Sequence, residues 1–297
     1  MKHLFLSQRL FVFLLVSLFL LMPEGLFSES LLNSVTIRDE ERSAATEDSS
    51  PFALDYYIDL GIAAGAVGLA VTGLVLDHAV DGWDREETFC KDDINAFDKI
   101  WYNEYRPAVD DLGTVAVVAN VLVLPVGIYT TEAILQNLPA RELVVLGSML
   151  GESYLLGYGI RNIIKTNVRR TRPYMYTENW DWDSVDDGDY TLSFPSGHTT
   201  DAFMGATFLS YTFWKYYPHS NLRIPVIATS YTIAAATGFL RIASGNHFLT
   251  DVMAGAALGS AIGFLVPFVH EKIAAVKYRG RQVFSFDGQS LTATLRF

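Results

Sequence analysis

Cysteine is almost missing: Cys90 is the single one in 297 residues. One thiol cannot close an intrachain disulfide framework or build a multi-cysteine metal site. Basic residues are scarce as well, 22 Lys and Arg against 33 Asp and Glu, for a formal net charge of -11. Binding a phosphate backbone needs a surplus of Lys and Arg on one face, so nucleic acid is excluded as a partner. Charge of either sign is thin, at 19% of residues, while half are hydrophobic and the mean hydropathy is +0.22. The charges gather in a few segments between long apolar stretches, the pattern of bilayer-spanning helices rather than of a soluble domain.

Lys2 and Arg9 precede an apolar run from Leu10 to Met22, followed by Gly25 and Ser28. That order reads as a signal peptide over 1–28, with a retained anchor as the alternative. Residues 29–52 form a polar, acidic linker. A membrane domain is expected over 53–281, with apolar segments at Leu60 to Leu76, Leu112 to Tyr129, Glu142 to Ile164, Thr199 to Tyr216, Ile224 to Leu240 and Phe248 to Val269. Each is close to the roughly 20 residues that a helix needs to cross the hydrocarbon core. The expected fold is therefore all-α, a polytopic bundle of about six transmembrane helices rich in Gly, Ala and Ser, which permit close helix approach. Over 282–297, alternating apolar residues flank Asp287-Gly288 and predict a small C-terminal β-hairpin.

Three short stretches carry chemistry: Lys165 with Arg172-Pro173, then Pro195-Ser196-Gly197-His198, then Arg241, His247 and Asp251. They fall at the end of the third expected helix, the start of the fourth, and the junction of the fifth and sixth. Alternating helices reverse direction, so all three meet at one membrane face. Three cations, two histidines, a carboxylate and a Ser-Gly turn at a helix start suit a phosphate. Guanidinium forks match phosphate oxygens, and the free amides of a helix start favour an anion. His247 and Asp251 are four apart, on one helical face, where a carboxylate can orient an imidazole for attack. His198, on the other wall, is placed as a general acid. His78, His219 and His270 are expected to be structural.

These stretches resemble the signature of the type 2 phosphatidic acid phosphatase and vanadium haloperoxidase superfamily, in its integral-membrane branch. That signature is Lys, six residues, Arg-Pro; then Pro-Ser-Gly-His; then Ser-Arg, five residues, His, three residues, Asp. Lys165 to Asp251 reproduces the spacings, and one position departs, with Leu240 where the family has Ser. The resemblance implies a hydrolase that needs no metal or other cofactor. His247 attacks phosphorus, His198 protonates the leaving group, and water clears the phosphohistidine. Lys165, Arg172, Ser196, Gly197 and Arg241 would hold the phosphoryl oxygens. Leu240 removes a hydroxyl beside Arg241 and leaves that guanidinium's orientation to other contacts.

The expected substrate is a membrane lipid phosphate monoester or pyrophosphate, met at the bilayer. Other readings of the same motifs are an exported soluble-type acid phosphatase, a vanadium-dependent haloperoxidase, and a non-catalytic phospholipid-binding or transport protein. The acidic run Glu178, Asp181, Asp183, Asp186, Asp187 and Asp189 fits no EF-hand spacing and reads as a solvated loop. Trp180, Trp182, Tyr174 and Tyr176 suit a membrane interface. Lys272, Lys277, Arg279 and Arg281 follow the last segment and orient it with its C-terminal end in the cytoplasm. That points to the bacterial inner membrane with the site on the periplasmic face. A cleaved leader, six spans and a cytoplasmic C-terminus are mutually inconsistent, and the basic flank is taken as the orienting signal.

Overall fold

The computed structural model describes residues 50–83, 87–279, 284–286 and 291–293. The expected leader and nearly all of the polar linker lie outside the described residues.

Helix α1 (Tyr56–His78) starts where the Asp55 carboxylate accepts from the amides of Tyr57 and Ile58, at 3.1 Å each. Such a cap satisfies donors that the first helical turn leaves unpaired. Two short helices, α2 (Pro107–Val118) and α3 (Leu124–Ile134), are joined by a π-helical turn at Ala119–Val123. Pro125 has no amide hydrogen to continue the ladder, which accounts for the widened turn. Next come α4 (Ala140–Val168), the short α5 (Trp182–Asp186), α6 (Gly197–Tyr216), α7 (Arg223–Ala243) and α8 (Leu249–Ala274).

Among the described residues, five helical segments are long and apolar enough to cross a membrane: Tyr56–His78, Pro107–Ile134, Ala140–Tyr176, Arg223–Ala243 and Leu249–Tyr278. Val71, Val75, Val115, Val123, Ile224, Phe239 and Leu265 face outward on four of them. Apolar side chains on outer faces with polar ones inside suit lipid contact, and the chain is an integral membrane protein. Five of the six expected segments meet this criterion among the described residues. Helix α6 coincides with the fourth expected segment but carries His198, Thr199, Thr200, Asp201 and Thr207, and most of it is buried by its neighbours. A helix shielded from lipid by protein has no need to be apolar.

Glycine spacing on α8 explains how closely it packs on α6. A Cβ at Gly255 would lie 2.6 Å from the Ser196 carbonyl oxygen, and Cβ atoms at Gly259 and Gly263 would overlap the carbonyl oxygens of Thr200 and Met204. These obstacles are backbone and cannot rotate away. Small residues four apart let two helices touch backbone to backbone. Helices α1 and α4 do the same at Gly159, whose Cβ would meet the Leu69 backbone at 2.5 Å.

At the C-terminal end, Phe284–Phe286 pairs antiparallel with Leu291–Ala293 in the register Phe284 to Ala293. The turn expected between them lies outside the described residues.

Gly259→Ala is expected to destabilise the bundle by about 1–3 kcal/mol, the usual cost of overpacking. Gly61→Ala, with no atom within 4 Å of the new methyl, leaves the melting midpoint in detergent unchanged. Equal midpoints for the two variants would contradict the packing argument.

Candidate active site

The end of α4, the start of α6, the end of α7 and the start of α8 open on one face of the bundle, together with the end of α1 and the start of α2. They enclose a cavity of about 90 Å³ lined by Lys165, Arg172, Gly197, His198, Arg241 and His247, six of the eight site residues expected from the sequence. Ser196 and Asp251 are fully buried behind it.

His247 lies in the short connection before α8, 1% exposed. Its Nε2 faces the Arg172 guanidinium at 3.4 Å, and its Nδ1 faces inward toward Ser193 Oγ at 3.5 Å and Asp251 Oδ2 at 3.8 Å. The expected pairing with Asp251 is thus an ion-pair separation too long for a hydrogen bond. Ser193 fills the gap, donating from Oγ to Asp251 Oδ2 at 2.6 Å. Burial, with Arg172, Arg241 and Lys165 nearby, pushes the His247 imidazole well below its usual range. It is held neutral, with a lone pair available.

Asp251 is saturated. Oδ2 also accepts from the Phe248 amide at 2.8 Å, and Oδ1 accepts from Arg170 at 2.6 Å. Arg170 in turn donates to Asp98 at 2.6 Å, and Asp98 accepts from the Thr250 amide and hydroxyl at 3.1 and 2.6 Å. Burial pushes the Asp98 carboxyl up, but hydrogen bonds from Thr250, Arg170 and Asn95 outweigh it and hold it below the usual carboxylate range.

His198 opens α6 on the opposite wall, its Nε2 3.0 Å from Thr114 Oγ1. The Ser196 hydroxyl caps α6, accepting from the Thr199 amide at 3.4 Å, and is not among the groups lining the cavity. Its amide donates to the Asp251 carbonyl at 3.0 Å, which ties the second motif to the third. A Cβ at Gly197 would make ordinary van der Waals contact with the Arg161 side chain, 3.4 Å from its Nε.

Each cation is held by an oxygen. Lys165 Nζ donates to the Leu192 carbonyl at 2.9 Å. Arg172 donates to the Asp189 carboxylate at 2.6 Å and to the Asn246 carbonyl at 3.2 Å. Arg241 pairs with Asp110 of α2, and its buried Nε has no hydrogen-bond partner among the described residues. The Leu240 departure therefore leaves Arg241 anchored from α2, where Gly113 admits its side chain closely.

A fourth cation, Arg161, was missed. It lines the cavity, pairs with Asp201 and donates to the Gly197 carbonyl at 3.2 Å. The signal was present: Arg161 lies four residues before Lys165, on the same face of α4. Two members of the acidic run are also corrected. Asp181 and Asp189 line the cavity rather than facing only solvent, and burial pushes the Asp181 carboxyl up. Tyr174 and Tyr190 are buried in an aromatic cluster with Tyr105, against which Trp83, Phe89 and Trp180 pack, whereas Trp182 stays exposed.

The site is thus a buried cavity at one end of the membrane-spanning helices in which a neutral histidine faces Arg and Lys side chains. Residues 146–274 match the PAP2 superfamily. The chain is 34% identical over 87 residues to a lipid A 1-phosphatase of Porphyromonas gingivalis, covering 29% of this chain and 18% of that protein. It is 37% identical over 84 residues to phosphatidylglycerophosphatase B of Bacillus subtilis, covering 28% of this chain and 41% of that one. The chain thus spans less than half the length of either curated relative. A solved transmembrane PAP2-type phosphatidylglycerolphosphate phosphatase from B. subtilis aligns over 70% of this chain and 96% of its own, at 22% identity and a TM-score of 0.43.

Asp98→Ala removes the acceptor of Arg170 and of the buried Thr250 amide, and a lowering of stability by about 1–3 kcal/mol is expected. Because the Asp98 carboxyl is depressed, its contribution is present above the ordinary carboxylate range and is lost as pH falls through the depressed value. The melting midpoints of wild type and variant should converge only in strong acid.

Proposed function

We propose that the protein is a membrane phosphatase that hydrolyses a lipid phosphate monoester or pyrophosphate through a phosphohistidine at His247. The observation that carries this reading is the His247 imidazole, neutral by burial, aiming Nε2 at a cavity ringed by Arg172, Lys165 and Arg241, one of whose buried N–H donors is unused. Nε2 attacks phosphorus, the bond to the leaving oxygen breaks, and His198 gives that oxygen its proton. A water then attacks phosphorus with His198 taking its proton, and the P–N bond breaks to release phosphate. Asp251, through Ser193, orients the ring and steadies the positive charge that develops on it. Lys165, Arg172, Arg241 and the start of α6 at Ser196 and Gly197 stabilise the equatorial oxygens, where fixed donors act most strongly on the transition state. No step calls for a metal.

Lipid substrates are supported by the membrane-spanning scaffold and by the phosphatase names of both curated relatives. We further propose that α6 also crosses the bilayer, completing six spans, and that the cavity faces the periplasm. Lys272 and Lys277 sit at the other end of α8, and basic flanks stay in the cytoplasm. Exposed Cys90 precedes α2 on the cavity side. A membrane-impermeant maleimide is expected to label it in intact spheroplasts; labelling only after permeabilisation would reverse the orientation.

Phosphate release from lipid and soluble phosphates, without added metal and in chelator, tests the chemistry. Wild type is expected to hydrolyse a lipid phosphate, His247→Ala to lose turnover, and Asp251→Asn to lose most of it with the fold retained. Wild-type rates in His247→Ala would sink the mechanism. Because His247 must be neutral to attack while His198, which burial and the nearby cations also lower, must be protonated to serve the leaving group, kcat/KM should rise rather than fall as pH drops through 6.5, the ordinary imidazole value, and fall only once His247 itself is protonated.

A further inference from the structure

A second cluster of ionisable groups lies far from the cavity, where α1, α4 and α8 meet. Asp59, Glu152 and His270 are 3%, 0% and 0% exposed. Asp59 is 18 residues before the cavity-lining Asp77 on α1, so at about 1.5 Å per residue the two sites are on the order of 25 Å apart. Charged groups buried at bilayer depth are costly unless something neutralises them.

The ring of His270 is locked. Nδ1 lies 2.9 Å from the Val266 carbonyl oxygen, an acceptor only, so Nδ1 carries hydrogen and donates. Nε2 is left facing two carboxylates, Asp59 Oδ1 at 2.8 Å and Glu152 Oε2 at 3.4 Å. A neutral ring with this tautomer would point a lone pair at two anionic oxygens, which is repulsive. Neither oxygen of Glu152 has a hydrogen-bond partner among the described residues, and the same is true of the Ser148 hydroxyl. Ser148 lies one turn earlier on the same face of α4. Among the described residues, this face of α4 therefore presents three buried polar atoms without a hydrogen bond, of which Glu152 Oε2 has only the ion-pair contact to His270.

We propose that Asp59, Glu152 and His270 bind a divalent first-row transition-metal ion that staples α1, α4 and α8 together. The three donor atoms lie within 4.8 Å of one another. Shifts of a few tenths of an ångström bring each to the roughly 2.0–2.2 Å of a zinc–nitrogen or zinc–carboxylate bond. One imidazole and two carboxylates suit such an ion, whereas a pure oxygen cage would suit calcium or magnesium. Its two positive charges cancel two carboxylates, so the filled site is neutral. The Nδ1–H bond to Val266 is the outer contact that metal-bound histidines usually make, fixing the ring and its tautomer. The ion is structural and takes no part in the chemistry proposed at His247.

The test reads metal directly, without turnover. Full-length protein in detergent is dialysed overnight against chelator at mildly acid pH, loaded with Zn²⁺, freed of excess by gel filtration, and assayed by plasma mass spectrometry. About one zinc per chain is expected in wild type and in His247→Ala, with at least a tenfold loss in Glu152→Gln and His270→Asn. Loading should raise the wild-type melting midpoint by several degrees. No retained zinc in wild type, or equal retention in Glu152→Gln, would overturn the site in favour of protons shared among the three groups. If both cluster variants fail to fold, wild type loaded with Co²⁺ decides: visible d–d bands at one equivalent support the site, and their absence refutes it.

Discussion

A guanidinium inside a bilayer-embedded bundle must meet an oxygen, because water is not there to solvate it. Much of the architecture around the cavity follows from that constraint. Arg161 pairs with Asp201, Arg172 with Asp189, Arg241 with Asp110, and Arg170 with both Asp98 and Asp251. Each pair joins two different parts of the chain: α4 to α6, one loop position to another, α7 to α2, and the loop after α4 to both the α1–α2 loop and α8. The ion pairs that neutralise the pocket are also the ties that assemble it. Among the described residues Arg241 keeps one donor unused, which the phosphate site proposed above would employ.

The glycine contacts between α6 and α8 serve the same end. They bring the Ser196 amide onto the Asp251 carbonyl, which sets the start of one helix against the start of the next. His198, at the start of α6, and His247, in the short connection before α8, then line opposite walls of the cavity from positions that this contact fixes.

Much of this was legible in the sequence, and the reason is physical. Lys165, Arg172, Gly197, His198, Arg241, His247 and Asp251 stand at helix ends whose order along the chain forces them to one face. Helix positions were legible because an apolar segment of membrane length declares itself. The enclosure of α6 was not legible, because length and small residues do not reveal how deeply a helix is surrounded by its neighbours. Asp98, Asp110 and Thr114 were missed because their pairings are long-range contacts from loops and helix starts with no local pattern. In the run from Glu178 to Asp189, nothing local distinguishes the carboxylates that turn inward, Asp181 and Asp189, from those that stay in water. His270 was expected to be structural, a reading that its burial fits, but Asp59 and Glu152 come from helices 211 and 118 residues away in the numbering, beyond the reach of any spacing rule.

The contacts made by Asp98, Asp110 and Thr114 bear on how such a domain can be inherited. All three lie upstream of residues 146–274, the stretch recognisable as PAP2, yet they hold Arg170, Arg241 and His198. A chimera that transplants only the recognisable stretch would carry the reactive histidines and leave behind the partners that aim them. The structural unit that aims the histidines is therefore larger than the motif-bearing one, and changes in the α1–α2 loop or on α2 would retune the pocket while every signature residue stays the same.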